Sequence, residues 1–201
     1  MKILVKKTGI IKFAKYTFKC FLGKKGITFN KKEGDLKTPK GNFILKYVMY
    51  RSDRIKKPKT KLPIYIIKKN HVCCNDSSNP KYNKIFETKD LNIGEKLWRK
   101  DMLYDILIVI GYNDDPVIKN KGSAIFLHLE QKNINTTEGC IAIKKKYMIN
   151  LLKYNPQEIK IYWLNYNYYL FLKKTTKLVT ISSLIKLKFF SRAAFCATSV
   201  A

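Results

Sequence analysis

Two nearly unbroken β-forming runs in the second half of the chain limit the fold more than any other feature. Tyr104–Tyr112 is apolar at almost every position and stops at Asn113-Asp114-Asp115-Pro116, a cluster of turn formers. Ala124–Leu129 follows the turn residue Gly122. Runs this short and this uniformly apolar read as a buried pair of central strands. Lys2–Lys6, Ile11–Leu22, Phe43–Tyr50, Leu62–Ile67 and Ile159–Leu164 supply further strand candidates. The clearest helix spans Lys144–Tyr154, where Tyr147, Met148, Leu151 and Leu152 share one face and lysines occupy the other. A second short helical stretch is expected over Asn92–Lys100, with Leu97 and Trp98 as its apolar anchors. Lys31–Gly41, Lys56–Pro63 and Asn70–Asn83 read as loops. The expected class is mainly β, a mixed β-sandwich or partly closed barrel with one or two short helices.

A chain of 201 residues holds one domain with a real core. The pattern changes after Leu164, so the expected organisation is one domain over residues 1–163 and a C-terminal extension of unknown structure over 164–201. No apolar run approaches the roughly 18–20 residues of a membrane span. Between Met1 and Cys20 lysines interrupt the apolar residues every few positions, so no signal peptide is visible.

The formal net charge is +27, and 37 of the 41 basic residues are lysine. Asparagine occurs 15 times and alanine only 7, a composition that A/T-rich coding produces without selection for a partner. Proteins that read bases or clamp phosphates in bidentate fashion lean on arginine. The expectation is therefore a generally basic surface with electrostatic attraction to anionic envelope surfaces, and no specific nucleic acid.

Cys20, Cys73, Cys74, Cys140 and Cys196 are an odd set, which does not make a disulfide scaffold. A zinc site could be assembled from His71, Cys73 and Cys74 with Cys140 or His128. Adjacent cysteines are unusual ligands and no C-x₂-C knuckle accompanies them, so no metal and no cofactor are expected.

One constellation carries chemistry. His128 lies near the end of the Ala124–Leu129 run, and Thr136-Thr137-Glu138-Gly139-Cys140 leads into Ile141 after a polar loop. A loop that returns the chain brings an imidazole to a thiol, as a nucleophilic cysteine requires. Gly139 lets backbone N–H groups turn toward a substrate carbonyl and serve as an oxyanion site. Spacing alone equally allows an inert cysteine beside an ordinary turn glycine.

Thr137-x-Gly139-Cys140-Ile141-Ala142-Ile143, preceded by the His128 strand, resembles the catalytic signature of the L,D-transpeptidase (YkuD) domain. The resemblance extends upstream through Gly23–Gly26 and Lys32-Glu33-Gly34-Asp35-x-x-Thr38-Pro39-x-Gly41. It continues through Cys74-Asn75-Asp76, Tyr82-Asn83, Trp98, Gly111-Tyr112-Asn113-Asp114-x-Pro116 and Gly122-Ser123-x-Ile125-Phe126-x-His128. It implies two-step acyl transfer on peptidoglycan stem peptides. Cys140 is then the nucleophile, His128 the general base and acid, Gly139 the oxyanion-site backbone, and Thr137 an orienting hydroxyl. Glu138, Asn113, Asp114, Thr38 and Trp98 are the implied substrate-side residues. The implied protein is a monomer acting in the periplasm or cell envelope, although the absence of a visible signal peptide leaves the cytoplasm open.

Two positions depart from the commoner signature, which has histidine before the glycine and arginine two residues after the cysteine. Here they are Glu138 and Ala142, and only 11 residues separate His128 from Cys140. A carboxylate at 138 opposes thiolate formation. The absent arginine removes a binder for a substrate carboxylate. A noncatalytic protein that holds anionic wall polymer is the competing expectation.

Overall fold

The computed structural model describes residues 1–163; the proposed C-terminal extension, with Cys196, lies outside them. The chain opens with β1 (Lys2–Lys6), β2 (Ile10–Phe13) and β3 (Tyr16–Lys19), then β4 (Ile27–Thr28) and β5 (Thr38–Pro39). The long β6 (Gly41–Tyr50) leads to β7 (Ile64–Ile66), β8 (His71–Cys73), β9 (Ile85–Glu87) and β10 (Glu95–Lys96). The core pair β11 (Ile106–Ile110) and β12 (Phe126–Leu129) follows, then β13 (Ile141–Ile143), α1 (Lys145–Lys153) and β14 (Glu158–Tyr162).

The principal sheet runs β13-β12-β11-β6-β14-β1-β2-β3, with β7 added alongside β6. Its two ends meet: Phe21, just past β3, exchanges both backbone hydrogen bonds with Ala142 of β13 at 2.9 Å. The eight strands thus form a nearly closed barrel, which leaves few unpaired edges. The mainly β expectation is met in its partly closed barrel form, with a single short helix.

Alternation explains the packing. In β1 the inward residues Ile3 and Val5 are fully buried. β11 is covered on both faces: Ile106, Ile108 and Ile110 enter the main core, while Leu107 joins a second cluster with Met49, Cys73, Leu97, Tyr104 and Phe126. That two-sided burial is why Tyr104–Tyr112 shows no polar alternation. The second cluster lies on the barrel's outer wall, where the small sheet β10-β8-β9 packs. α1 packs against β12 and inserts Met148, Leu151 and Leu152 into the main core.

Three local expectations are corrected. Ile11–Leu22 is not continuous: Ala14 takes a positive φ of 49° and the run folds into the β2–β3 hairpin. Asn92–Lys100 is not helical, because Gly94 approaches the backbone of Cys73 and Cys74, and Glu95–Lys96 pairs with β8. Asn70–Asn83 is not all loop. His71–Cys73 forms β8, with Val72, Cys73 and Cys74 buried, and His71 opens that strand directly after the turn at residues 69–70.

Candidate active site

The parallel pairing of β12 with β13 sets the site. Its register places His128 opposite Ala142, and Cys140 precedes β13 on the same side. The Cys140 thiol donates to the Ala124 carbonyl at 3.0 Å and accepts from the Phe126 N–H at 3.3 Å. Side chains two residues apart along a strand point to the same face, so Phe126 and His128 share the outer wall of the barrel with Cys140. Cys140 and His128 line one cavity of about 530 Å³.

His128 is buried, with 3% of its surface exposed. Its Nδ1 lies 2.8 Å from the Leu129 carbonyl. A carbonyl only accepts, so Nδ1 carries the proton and Nε2 keeps the lone pair. The Tyr104 ring packs edge-on against the imidazole, 5.5 Å between centroids. Burial lowers the histidine pKa to about 4, with Arg99 acting in the same direction. At neutral pH the ring is an uncharged base.

The Cys140 thiol is pushed up, first by desolvation and then by Glu95, with Glu138 adding to it. The Phe126 amide and Lys31 act the other way and do not compensate. The resting pair is therefore thiol and neutral imidazole, not thiolate and imidazolium.

The backbone at Cys140 is held from two sides. Thr137 Oγ1 donates to the Cys140 carbonyl at 2.6 Å and accepts from the Gly139 N–H at 3.2 Å. Thr38, fully buried in β5, donates to the same carbonyl at 3.4 Å and accepts from the Gly23 N–H at 2.8 Å. Gly139 has φ +150°, and a Cβ there would lie 3.0 Å from the Lys37 carbonyl oxygen. Thr137 also bridges to Gly23, next to the closure of the barrel, so closing the sheet fixes the loop that presents the thiol.

A family model for the L,D-transpeptidase catalytic domain, YkuD, matches residues 5–175. The chain belongs to that family. The crystal structure of the helical cell shape determining protein Pgp2 from Campylobacter jejuni is similar to it, with 14% identity and a TM-score of 0.43. That similarity covers 82% of this chain and 48% of the other, so the chain spans about half the length of Pgp2. No curated protein matches the chain.

Within this YkuD domain, Cys140, His128, Gly139, Thr137 and Glu138 all line the cavity. Thr38 acts one layer behind it through its hydrogen bonds. Trp98 lies under the Arg51 guanidinium, 3.4 Å from the ring centroid, and does not line the cavity. Asn113 stands apart as well: its side chain ties the Ile118 amide and the Ile118 and Gly122 carbonyls at 2.9 Å each. Asp114 pairs with Lys46 at 2.8 Å. Among the described residues no group of three or more His, Cys, Asp or Glu side chains is placed to hold a metal ion.

Sequence reasoning missed three lining residues with chemical weight, Glu95, Lys31 and Arg99. Glu95 was hidden in a stretch that resembled a helix; Tyr104 donates to its carboxylate at 2.6 Å, and burial raises its pKa. Lys31 is nearly buried beside Gly139 and pairs with Asp35 at 2.6 Å. Its signal was lost among 37 lysines. Glu33 accepts a hydrogen bond from Tyr82, and Arg99 pairs with Asp101 at 2.7 Å. The Glu33-Gly34-Asp35 motif, already part of the resemblance, was the one signal pointing to this wall, and through Asp35 it leads to Lys31.

Proposed function

We propose that this YkuD domain is a cysteine-dependent L,D-transpeptidase-like acyltransferase acting on peptidoglycan stem peptides. One observation supports the reading: Cys140 and His128 line the same cavity, and the Leu129 carbonyl holds Nδ1 of the neutral imidazole so that Nε2 is left to accept a proton. The thiol proton passes to His128 as sulfur attacks the carbonyl of the third stem residue. The developing oxyanion is met by backbone N–H groups around Gly139 and Cys140. The imidazolium then returns the proton to the amine of the departing terminal D-alanine, leaving a thioester on Cys140. An amine of a second stem, or water, attacks the thioester after His128 takes its proton, and sulfur leaves as the thiol. Such a substrate places the protein in the periplasm or cell envelope.

Incubation with tetrapeptide muropeptides followed by mass spectrometry is the test. The expected result is loss of D-alanine that Cys140→Ala abolishes. Failure of the wild-type protein to form any acyl-enzyme or altered muropeptide, across several stem types, would overturn the reading.

A second reading, a noncatalytic holder of anionic wall polymer, is favoured by the raised Cys140 pKa with two carboxylates opposing the thiolate. Retention on purified sacculi that survives Cys140→Ala and collapses with salt distinguishes it, since exposed charge attraction is screened.

A further inference from the structure

A second cavity, of about 330 Å³, shares no lining residue with the first. Two elements build it. The loop after β6 contributes Arg54, Lys56, Lys57 and Lys59, and α1 contributes Lys145, Ile149 and Lys153. The helical three are spaced i, i+4 and i+8, so they form one stripe, whose middle residue Ile149 also packs against the main core. No carboxylate lines the cavity.

The loop is fastened rather than loose. Ile55 and Pro58 are buried while Lys56, Lys57 and Lys59 stand exposed between and beside them. Arg54 donates to Asp105 at 2.8 Å and to the Asp101 carbonyl at 2.9 Å. The Lys61 N–H donates to Asn155 Oδ1 at 2.6 Å, tying the loop to the end of α1. Arg54 is thus largely neutralised, whereas the five lysines make no ion pair among the described residues.

The helix supplies an independent sign. Its first turn has no acidic residue and no side-chain cap, and Lys144, Lys145 and Lys146 crowd that end. Cations at the positive end of a helix dipole repel it. Lysines converging from two elements repel each other as well, and an anion between them relieves both terms. The contrast with the first cavity is sharp, because there Lys31 and Arg99 each have a carboxylate partner.

We infer that this cavity is a binding site for phosphate groups carried on a linear, base-free polyanion. Lysine ammoniums are point charges suited to phosphate rather than to a planar fork. The lining has no aromatic ring on which a base could stack, which disfavours single-stranded nucleic acid. A concave, side-walled site suits a chain of phosphates better than the plane of a membrane. The site is independent of the thiol chemistry.

The test uses the full chain and a short, end-labelled inorganic polyphosphate, read by fluorescence anisotropy at low salt. Lys57→Gln/Lys59→Gln/Lys145→Gln is compared with Lys69→Gln/Lys84→Gln/Lys119→Gln, which removes the same charge from exposed positions elsewhere. Circular dichroism checks that both remain folded. The cavity variant should weaken binding about tenfold or more, the control about twofold or less. Cys140→Ala should bind as wild type does, whatever becomes of the proposed catalysis. Equal losses in the two triple variants would overturn the site in favour of net charge. Vesicles containing phosphatidylglycerol that bind while polyphosphate does not would overturn it in favour of a lipid surface. A preference for single-stranded DNA over polyphosphate of equal charge would overturn it in favour of nucleic acid.

Discussion

At Cys140 the protein holds a thiol where its anion is poorly supported. Burial and the Glu95 carboxylate both push its pKa up, so in the proposed mechanism proton transfer to His128 accompanies attack rather than precedes it. Glu95→Gln removes the opposing charge. Alkylation of Cys140 by iodoacetamide, followed by peptide mass spectrometry across pH, should then begin at lower pH than in wild type; an unchanged profile would show that Glu95 does not act on the sulfur. His128 gives a second expectation. With a pKa of about 4 it must be unprotonated to accept the proton, so kcat/KM should fall as pH drops through about 4. Linkage sets the matching stability trend. The unfolded chain, with the ordinary value of 6.5, binds the proton more readily between pH 6.5 and about 4. Stability should therefore decline on acidification through that window, by on the order of 3 kcal/mol in full. Urea titrations of His128→Gln should show that slope flattened. The type and order of these residues were legible in the sequence. Their protonation states were not, because desolvation depends on what Tyr104, Leu129 and the small sheet bring against them.

Element by element, the loop before β13 depends on backbone geometry more than on side-chain bulk. Gly139→Ala forces a Cβ at φ +150° against the Lys37 carbonyl. The expected loss is about 1–3 kcal/mol in stability, by thermal unfolding, with acyl-enzyme formation falling further because the amides of the proposed oxyanion site shift. The closure of the barrel makes a stricter demand. Phe21→Pro deletes the N–H that donates to Ala142 and should cost about 3 kcal/mol. Hydrogen exchange should then rise at Thr137–Ala142 before it rises at β1–β2. The helix and the β11–β12 pair were readable from periodicity and uniform apolarity. Glu95–Lys96 was not, because two residues carry no period and owe their strand to pairing with β8.

For the whole molecule, a formal charge of +27 on a chain of 201 residues is a self-repulsion that salt relieves. Raising ionic strength from about 0.02 to 0.3 M should increase the Tm by a few degrees. A falling Tm would mean that local ion pairs such as Lys31–Asp35 outweigh the net field. The described charge is also not evenly used. Carboxylates and cations share the thiol cavity, while every charged residue lining the second cavity is a cation.

The sequence by itself determined the class of fold, the central strand pair, the amphipathic helix and the membership of Cys140 and His128 in one constellation. Each rests on local pattern: uniform apolarity, a period of 3.6, or a short motif. Only the tertiary structure decided that the candidate site lies on the outer wall of the barrel, that Glu95 and Lys31 line it, and that the lysines of the Lys56–Pro63 loop line one cavity with those of α1. Such neighbours are brought together by strand closure and sheet packing, and separations of tens of residues along the chain leave no periodic trace from which to read them.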